Sequence, residues 1–278
     1  MTLSELSQVL ADAVAMWPSA GAVAVTDGRV TIAETGPTND VRPWASVTKL
    51  VTALATLVAV EEGSIELDAP AGPPGATVRH LLAHASGIAP DGDAVLAGPG
   101  RRRIYSNRGF ELLGAAIEPA TGMPWSDYVT AAVLDPLGMT GSEVVGSPAA
   151  GGRGPLRDLV LLARELLAPR LVSPATLASA TTVVFPGLDG VLPGYGRQQP
   201  NDWGLGFELR DGKHPHWTGT TNSPATFGHY GRSGSFLWVD PDAGVACVCL
   251  GGQPWGPWAE QAWPPLSDAV LALIREGK

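Results

Sequence analysis

The sequence is short of lysine, cysteine and long apolar runs, and each shortage excludes something. Only three lysines occur in 278 residues, Lys49, Lys213 and Lys278, so nearly all positive charge is carried by arginine. Acidic residues outnumber basic ones 27 to 18, and the net charge of −9 argues against nucleic acid or an anionic membrane as a partner. No run approaches the ~18 apolar residues that a membrane helix needs. The opening Met1-Thr2-Leu3-Ser4-Glu5-Leu6-Ser7-Gln8 has neither a basic stretch nor a long apolar core. The expectation is therefore a cytoplasmic chain without a secretion signal. The two cysteines, Cys247 and Cys249, alternate on an apparent strand and so face one side. They are expected as small buried apolar groups in a reducing compartment, not as a disulfide or a metal pair.

What is present is a large potential core, with 45% apolar residues in a length that suits one large unit or two interlocked ones. The chain is organised around Trp44-Ala45-Ser46-Val47-Thr48-Lys49 and the run after it, which is apolar on nearly every face until Gly63. Such a run predicts a helix buried inside the protein, with Gly63 as its C-terminal stop. Ser46 then stands at the helix N-terminus and Lys49 one turn on, on the same side. A lysine inside an apolar helix is costly unless its amine is partnered or its pKa falls. Lys213 lies in a glycine-containing loop and Lys278 is the last residue, which leaves Lys49 as the unusual one. Arginine cannot give up its proton, whereas a desolvated lysine can act as a general base near neutral pH.

Around this stretch the elements fall into an order. Residues 3–16 carry apolar positions at helical spacing. Ala22–Thr26 and Arg29–Ala33 flank Asp27-Gly28, a hairpin signal. Phe227–Gly231, Ser235–Val239 and Val245–Leu250 read as strands, and Leu266–Glu276 as a helix. The fold class expected is α/β of the α+β type: an antiparallel sheet built from both termini, flanked by terminal helices, with a mostly helical region inserted. The boundaries are 1–66 with 186–278 for the sheet part and 67–185 for the insertion, where Pro155–Leu167 is one helical pattern.

Two further stretches carry chemistry. Tyr105-Ser106-Asn107 can present a phenol and an amide from one loop, and a nearby ammonium would lower the phenol's pKa so that it could relay protons. The arginines before it, Arg101 to Arg103, read as a solvated basic loop. Gly228-His229-Tyr230-Gly231-Arg232 opens a strand whose glycines would allow a ligand close to the backbone, and a strand edge can offer an N–H to a developing oxyanion. Other chemistries do poorly. No Gly-x-Ser-x-Gly occurs, and Leu81 stands where a zinc helix built on His80 and His84 would need a glutamate. His80 and His84 are read as structural, and His214 and His216 as solvated. No metal or cofactor is expected.

With Ser46-Val47-Thr48-Lys49, Tyr105-Ser106-Asn107 and His229-Tyr230-Gly231 in this order, the chain resembles the serine β-lactamase-like and penicillin-binding-protein superfamily. It is most similar to class C β-lactamases, D-Ala-D-Ala carboxypeptidases and related esterases. Leu81–Gly87, Pro136–Met139 and Trp203–Phe207 also resemble that family's framework, so the likeness spans about residues 20–255. The resemblance implies a serine hydrolase in which Ser46 attacks a carbonyl and forms an acyl-enzyme. Lys49 with Tyr105 would activate it, and the resemblance leaves open which of the two takes the proton. Backbone N–H groups of Ser46 and Arg232 would form the oxyanion hole, and Asn107 would orient the substrate amide or the lysine. The substrate would be a small ester, amide or peptide. Sensors that acylate without turnover, and assembly proteins, share the fold and are the alternative.

Two departures bear on substrate choice. His229 stands where many β-lactam-binding members carry lysine, so a fixed cation for a substrate carboxylate is missing, although His229 could gain charge near pH 5.5. Gly251-Gly252-Gln253-Pro254-Trp255 replaces an Asn-Arg type of segment, and Trp255, Trp258 and Trp263 either line an apolar pocket or pack against the sheet. Arg232, following Gly231, could restore a carboxylate contact. These points favour an esterase or amidase over a dedicated antibiotic-resistance enzyme. Oligomeric state is left open.

Overall fold

The computed structural model describes residues 3–277. Its framework is a six-stranded antiparallel sheet. The strands are β1 (Ala22–Thr26), β2 (Thr31–Thr35), β3 (Glu208–Leu209), β4 (Phe227–Gly231), β5 (Ser235–Asp240) and β6 (Val245–Leu250). They lie in the order β2-β1-β6-β5-β4-β3, so strands from the two ends of the chain meet in the middle. The hairpin at Asp27-Gly28 forms as expected, with Asp27 Oδ1 accepting from the N–H groups of Arg29 and Val30. Its second strand starts at Thr31, not Arg29, because those two residues belong to the turn.

Alternation along the strands gives the sheet two buried faces. Ala22, Ala24, Leu237, Val239, Ala246 and Val248 face the helical region. Val23, Val25, Phe236, Trp238, Cys247 and Cys249 face the terminal helices α1 (Leu3–Ala15) and, at the other end, α5 (Pro257–Glu276). Both cysteines are free and buried there, and burial pushes their thiols up. Helix α5 begins nine residues before Leu266, since it runs through Pro264 and Pro265. The missing donors are tolerated where Trp263, Leu266 and Val270 anchor the same helix in the core.

Three helices fill the other face: α2 (Thr48–Glu61), α3 (Asn107–Thr121) and α4 (Leu156–Leu167). Helix α2 is the buried helix expected, with every residue from Thr48 to Ala59 buried and Gly63 in the left-handed conformation just beyond it. Helix α4 is amphipathic and lays Leu159, Val160, Leu162 and Ala163 on β1, β5 and β6. Among the described residues no helix is long and apolar enough to cross a membrane.

Two expectations about charged loops, for Arg103 and His216, are corrected. Arg103 is not solvated. It is 2% exposed, and its guanidinium donates to the carbonyls of Ala83, Val184, Phe185 and Asn201, tying three loops together. Lys213 is also buried, on Glu208 Oε1 and the Asp202 and Leu209 carbonyls. His216 is buried beside it, bonded to Glu208 Oε2 at 2.9 Å and to Thr218. Composition marked these as polar loop residues, but a charge that finds a buried partner follows the partner inside. His214 is exposed, as expected.

Candidate active site

Trp44 sets the position of Ser46. Its side chain is fully buried, its N–H donates to Gly152 O at 2.9 Å and its indole to Gly154 O at 3.3 Å. Its own carbonyl accepts from Ser235 Oγ of β5 at 2.7 Å. Ala45 then adopts φ +47°, a left-handed conformation that costs a residue with a Cβ roughly 1–2 kcal/mol. This bend places Ser46 in a single 3₁₀ turn, Ala45–Val47, which leads into α2. The third motif packs directly against it. A Cβ on Gly231 would come within 2.3 Å of Trp44 O and 3.1 Å of Ser46 N. The close neighbour that this glycine admits is the turn that carries Ser46.

Lys49 is buried in the first turn of α2, and its amine has three neighbours. It donates to Asn107 Oδ1 at 2.8 Å and to Ala149 O at 3.0 Å, and lies 3.4 Å from Ser46 Oγ. Burial lowers its pKa to about 7, although the Asp91 and Glu111 carboxylates work the other way. A neutral amine has two N–H bonds and one lone pair. With both N–H bonds directed at oxygen acceptors, the lone pair is left for Ser46.

Tyr105 and Asn107 reach this point because Ser106 between them caps α3. Its hydroxyl accepts from Gly109 N and donates to Ala89 O, fixing where the helix starts. Tyr105 Oη lies 2.8 Å from Ser46 Oγ. The expectation that a neighbouring ammonium lowers the phenol is overturned: burial raises its pKa, so Tyr105 is a neutral phenol, and it is Lys49 that shifts downward. The ring rests on His84, with centroids 4.6 Å apart, and His84 meets the Trp203 ring edge-on. His84 is thus structural, as is His80, which stacks on Phe185.

Asp91 had no sequence signal. Its Oδ1 accepts from Asn107 Nδ2 at 3.0 Å, and because a carboxylate only accepts, the amide must turn its oxygen toward Lys49. Ala149 was equally invisible, since its contribution is a backbone carbonyl.

Ser46, Asp91, Tyr105 and Asn107 line a cavity of about 420 Å³ that Leu192, Trp203, Tyr230 and Trp255 also border. His229 and the exposed Arg232 also border it. His229 is 3% exposed, and its Nδ1–H donates to Tyr230 O, so Nε2 carries a lone pair. Burial, reinforced by the Lys49 charge, lowers its pKa to about 3, and the expectation of a cation at pH 5.5 is overturned. Of the three late tryptophans only Trp255 borders the cavity. Trp263 is core, and Trp258 packs between Trp17 and Trp263.

A sheet of this order, with serine, lysine and tyrosine converging at its helical face, defines a protein of the serine β-lactamase and penicillin-binding class. The family model described as Beta-lactamase matches residues 7–251, and the chain belongs to that family. It is 51% identical to a solved β-lactamase from Mycobacterium bovis, with a TM-score of 0.94 over 95% of this chain and 99% of that one. Penicillin-binding protein 4 of Amycolatopsis lactamdurans is 27% identical over 77% of this chain and 72% of its own length. The D-alanyl-D-alanine-carboxypeptidase/endopeptidase AmpH of Escherichia coli is 29% identical over 175 residues. That match takes in 46% of each protein, so the chain spans about half the length of this curated relative.

Proposed function

We propose that the protein is a serine hydrolase that cleaves an ester or amide through an acyl-enzyme on Ser46. The observation that carries this reading is the bonding of Lys49, whose two acceptors leave its lone pair for Ser46 Oγ. Neutral Lys49 takes the serine proton as Oγ attacks the carbonyl carbon. Tyr105, a neutral phenol on the same oxygen, passes a proton to the leaving group and is restored from Lys49. The N–H groups of Ser46 and Arg232 take up the developing oxyanion, and Asn107 holds Lys49 or the substrate amide. Water then attacks the acyl-enzyme by the reverse relay.

Short-chain esters are the preferred substrates over penicillins, cephalosporins or D-amino-acid peptides. A neutral His229 offers no cation to a substrate carboxylate, and Trp255, Leu192 and Tyr230 give the cavity an apolar wall. The test is a panel of p-nitrophenyl esters, a chromogenic cephalosporin and a D-Ala-D-Ala peptide, with intact-mass detection of the adduct. A transient adduct on Ser46, absent in Ser46→Ala, and a higher kcat/KM for the esters are expected. No adduct with any substrate would sink the hydrolase reading. One equivalent of product followed by arrest would indicate a sensor that acylates without turnover.

A further inference from the structure

Tyr105 has to pass a proton to the leaving group, yet among the described residues its hydroxyl has one hydrogen-bond partner, Ser46 Oγ. That partner reacts, so the place of the phenol during the reaction depends on what its ring rests on. His84 is one support and also grips the backbone on both sides, its carbonyl accepting from Ile104 N and its Nδ1 from Ser106 N. Trp203 is the other. Its buried ring borders the cavity, with its centroid 5.9 Å from that of Tyr105, 4.6 Å from that of His84 and 5.6 Å from that of His229.

Trp203 is in turn held by buried charges that take no part in the proton relay. Arg103 Nε donates to Asn201 O at 3.0 Å and Lys213 Nζ to Asp202 O at 2.6 Å, so two cations grip the successive carbonyls that lead into Trp203. Lys213 Nζ also lies over the indole, 5.7 Å from the ring centroid, where the π face attracts a cation. Glu208 is the counter-ion of Lys213, forms a backbone bridge with Trp203, and pairs with Gly228 of β4, the residue before His229. Both charged side chains are buried, and neither borders the cavity. An ion pair is costly to keep inside a protein, and this one is spent on a ring that Tyr105, His84 and His229 share.

We propose that Lys213 and Glu208 are positioning residues for the reaction: they fix Trp203, and Trp203 fixes the Tyr105 phenol for proton transfer to the leaving group. The proposal rests on the hydrolase reading of Ser46 and adds to it a pair behind the cavity wall that sets how well the acid works. A pair that served stability alone would, when removed, slow every substrate alike. A pair that acts through Tyr105 matters most for leaving groups that need a proton.

The experiment measures kcat/KM for p-nitrophenyl, phenyl and benzyl butyrate, which share one acyl group. The p-nitrophenolate departs without a proton, whereas the benzyl alkoxide needs one. The variant is Lys213→Met with Glu208→Gln, which removes both charges together and leaves neither buried alone. A thermal melt sets an assay temperature at which each protein is folded. The double variant is expected to lose roughly 3-fold or less on the p-nitrophenyl ester and roughly 10-fold more on the benzyl ester, with the phenyl ester between. Trp203→Leu should repeat this gradient, and Trp203→Phe, which keeps a ring, should soften it; these two carry the test if the double variant does not fold. A readout without chemistry comes from ¹⁹F spectra of protein labelled with 3-fluorotyrosine, which has four tyrosine positions. The Tyr105 signal, assigned by its loss in Tyr105→Phe, should move in the double and Trp203 variants, while that of Tyr128, bonded to Glu62, stays. If the unmodified protein cleaves none of the esters but the Tyr105 signal still moves, the hydrolase reading falls and the support of Tyr105 stands. Equal losses on all three esters, or a Tyr105 signal that ignores the variants, would overturn the positioning role.

Discussion

At the scale of single residues, the decisive quantity is how much of Lys49 is neutral. With a pKa of about 7 the active amine form grows as pH rises, so kcat/KM should climb through an acid limb near that value. Lys49→Arg keeps the positive charge but cannot accept a proton, and a loss on the order of 100-fold or more is expected, close to that of Lys49→Ala. Recovery of most of the rate in the arginine variant would mean that charge alone is needed. Asp91→Asn probes the same balance from the other side. The new amide oxygen can still accept from Asn107, but the negative charge that favours the ammonium is gone. With Glu111, Tyr105, His84 and His229 still around the amine, the acid limb should move down by roughly half to one pH unit. A pH–rate profile with an unmoved limb would remove Asp91 from the electrostatics of the site.

At the scale of elements, strand β4 and the turn at Ser46 behave as one part. Gly231→Ala would drive a methyl group against Trp44 O and Ser235 Oγ, which are 2.3 and 2.6 Å from its place. The turn must retreat, and misplacing a nucleophile by about 1 Å can cost on the order of 100-fold. Steady-state kinetics with a thermal melt should show kcat/KM falling much more than stability does. The strands were legible because turn chemistry and alternation agree, as at Asp27-Gly28 and along Val245–Leu250. The start of α5 was not legible, because Pro264-Pro265 reads as a break and only the buried Trp263 reveals that the helix begins before it. Ser106 has no signal of its own between Tyr105 and Asn107, although its hydroxyl caps the helix that Asn107 begins.

At the scale of the molecule, the group that composition hid is Glu208 with Lys213, His216 and the Trp217 indole. Burial opposes the Glu208 carboxylate, but His216 and Lys213 outweigh it and hold its pKa down to about 2. A depressed carboxylate stabilises the fold above its unfolded pKa, near 4.5, and this stabilisation is lost as pH falls toward 2. Glu208→Gln should lower stability at neutral pH by roughly 3–5 kcal/mol, since it leaves Lys213 buried without its counter-ion, and should flatten the acid side of a denaturation-versus-pH curve. An unchanged curve would show that the cluster is not coupled to folding. Ser46, Lys49, Tyr105 and Asn107 were legible because their stretches, taken together and in order, resemble a known family's motifs, whereas residue type and spacing alone marked them weakly. The sequence could not place Asp91, Ala149 O or this ion cluster, whose partners are distant in the chain or are backbone atoms without a residue signature.

The meeting of β1 with β6 also orders events in time. Ser46 and Lys49 are made early, yet the hydroxyl that steadies Trp44 O belongs to Ser235, 191 residues later. The central strand pairs close only after β6 has been made. On an emerging chain the turn at Ser46 therefore lacks its Ser235 support until late in synthesis, and contacts of such long separation are slow to form. A chain that stops before β5 and β6 lacks both the hydroxyl and the strand pairs that hold Trp44 in place, so the geometry around Ser46 is completed only when the sheet closes.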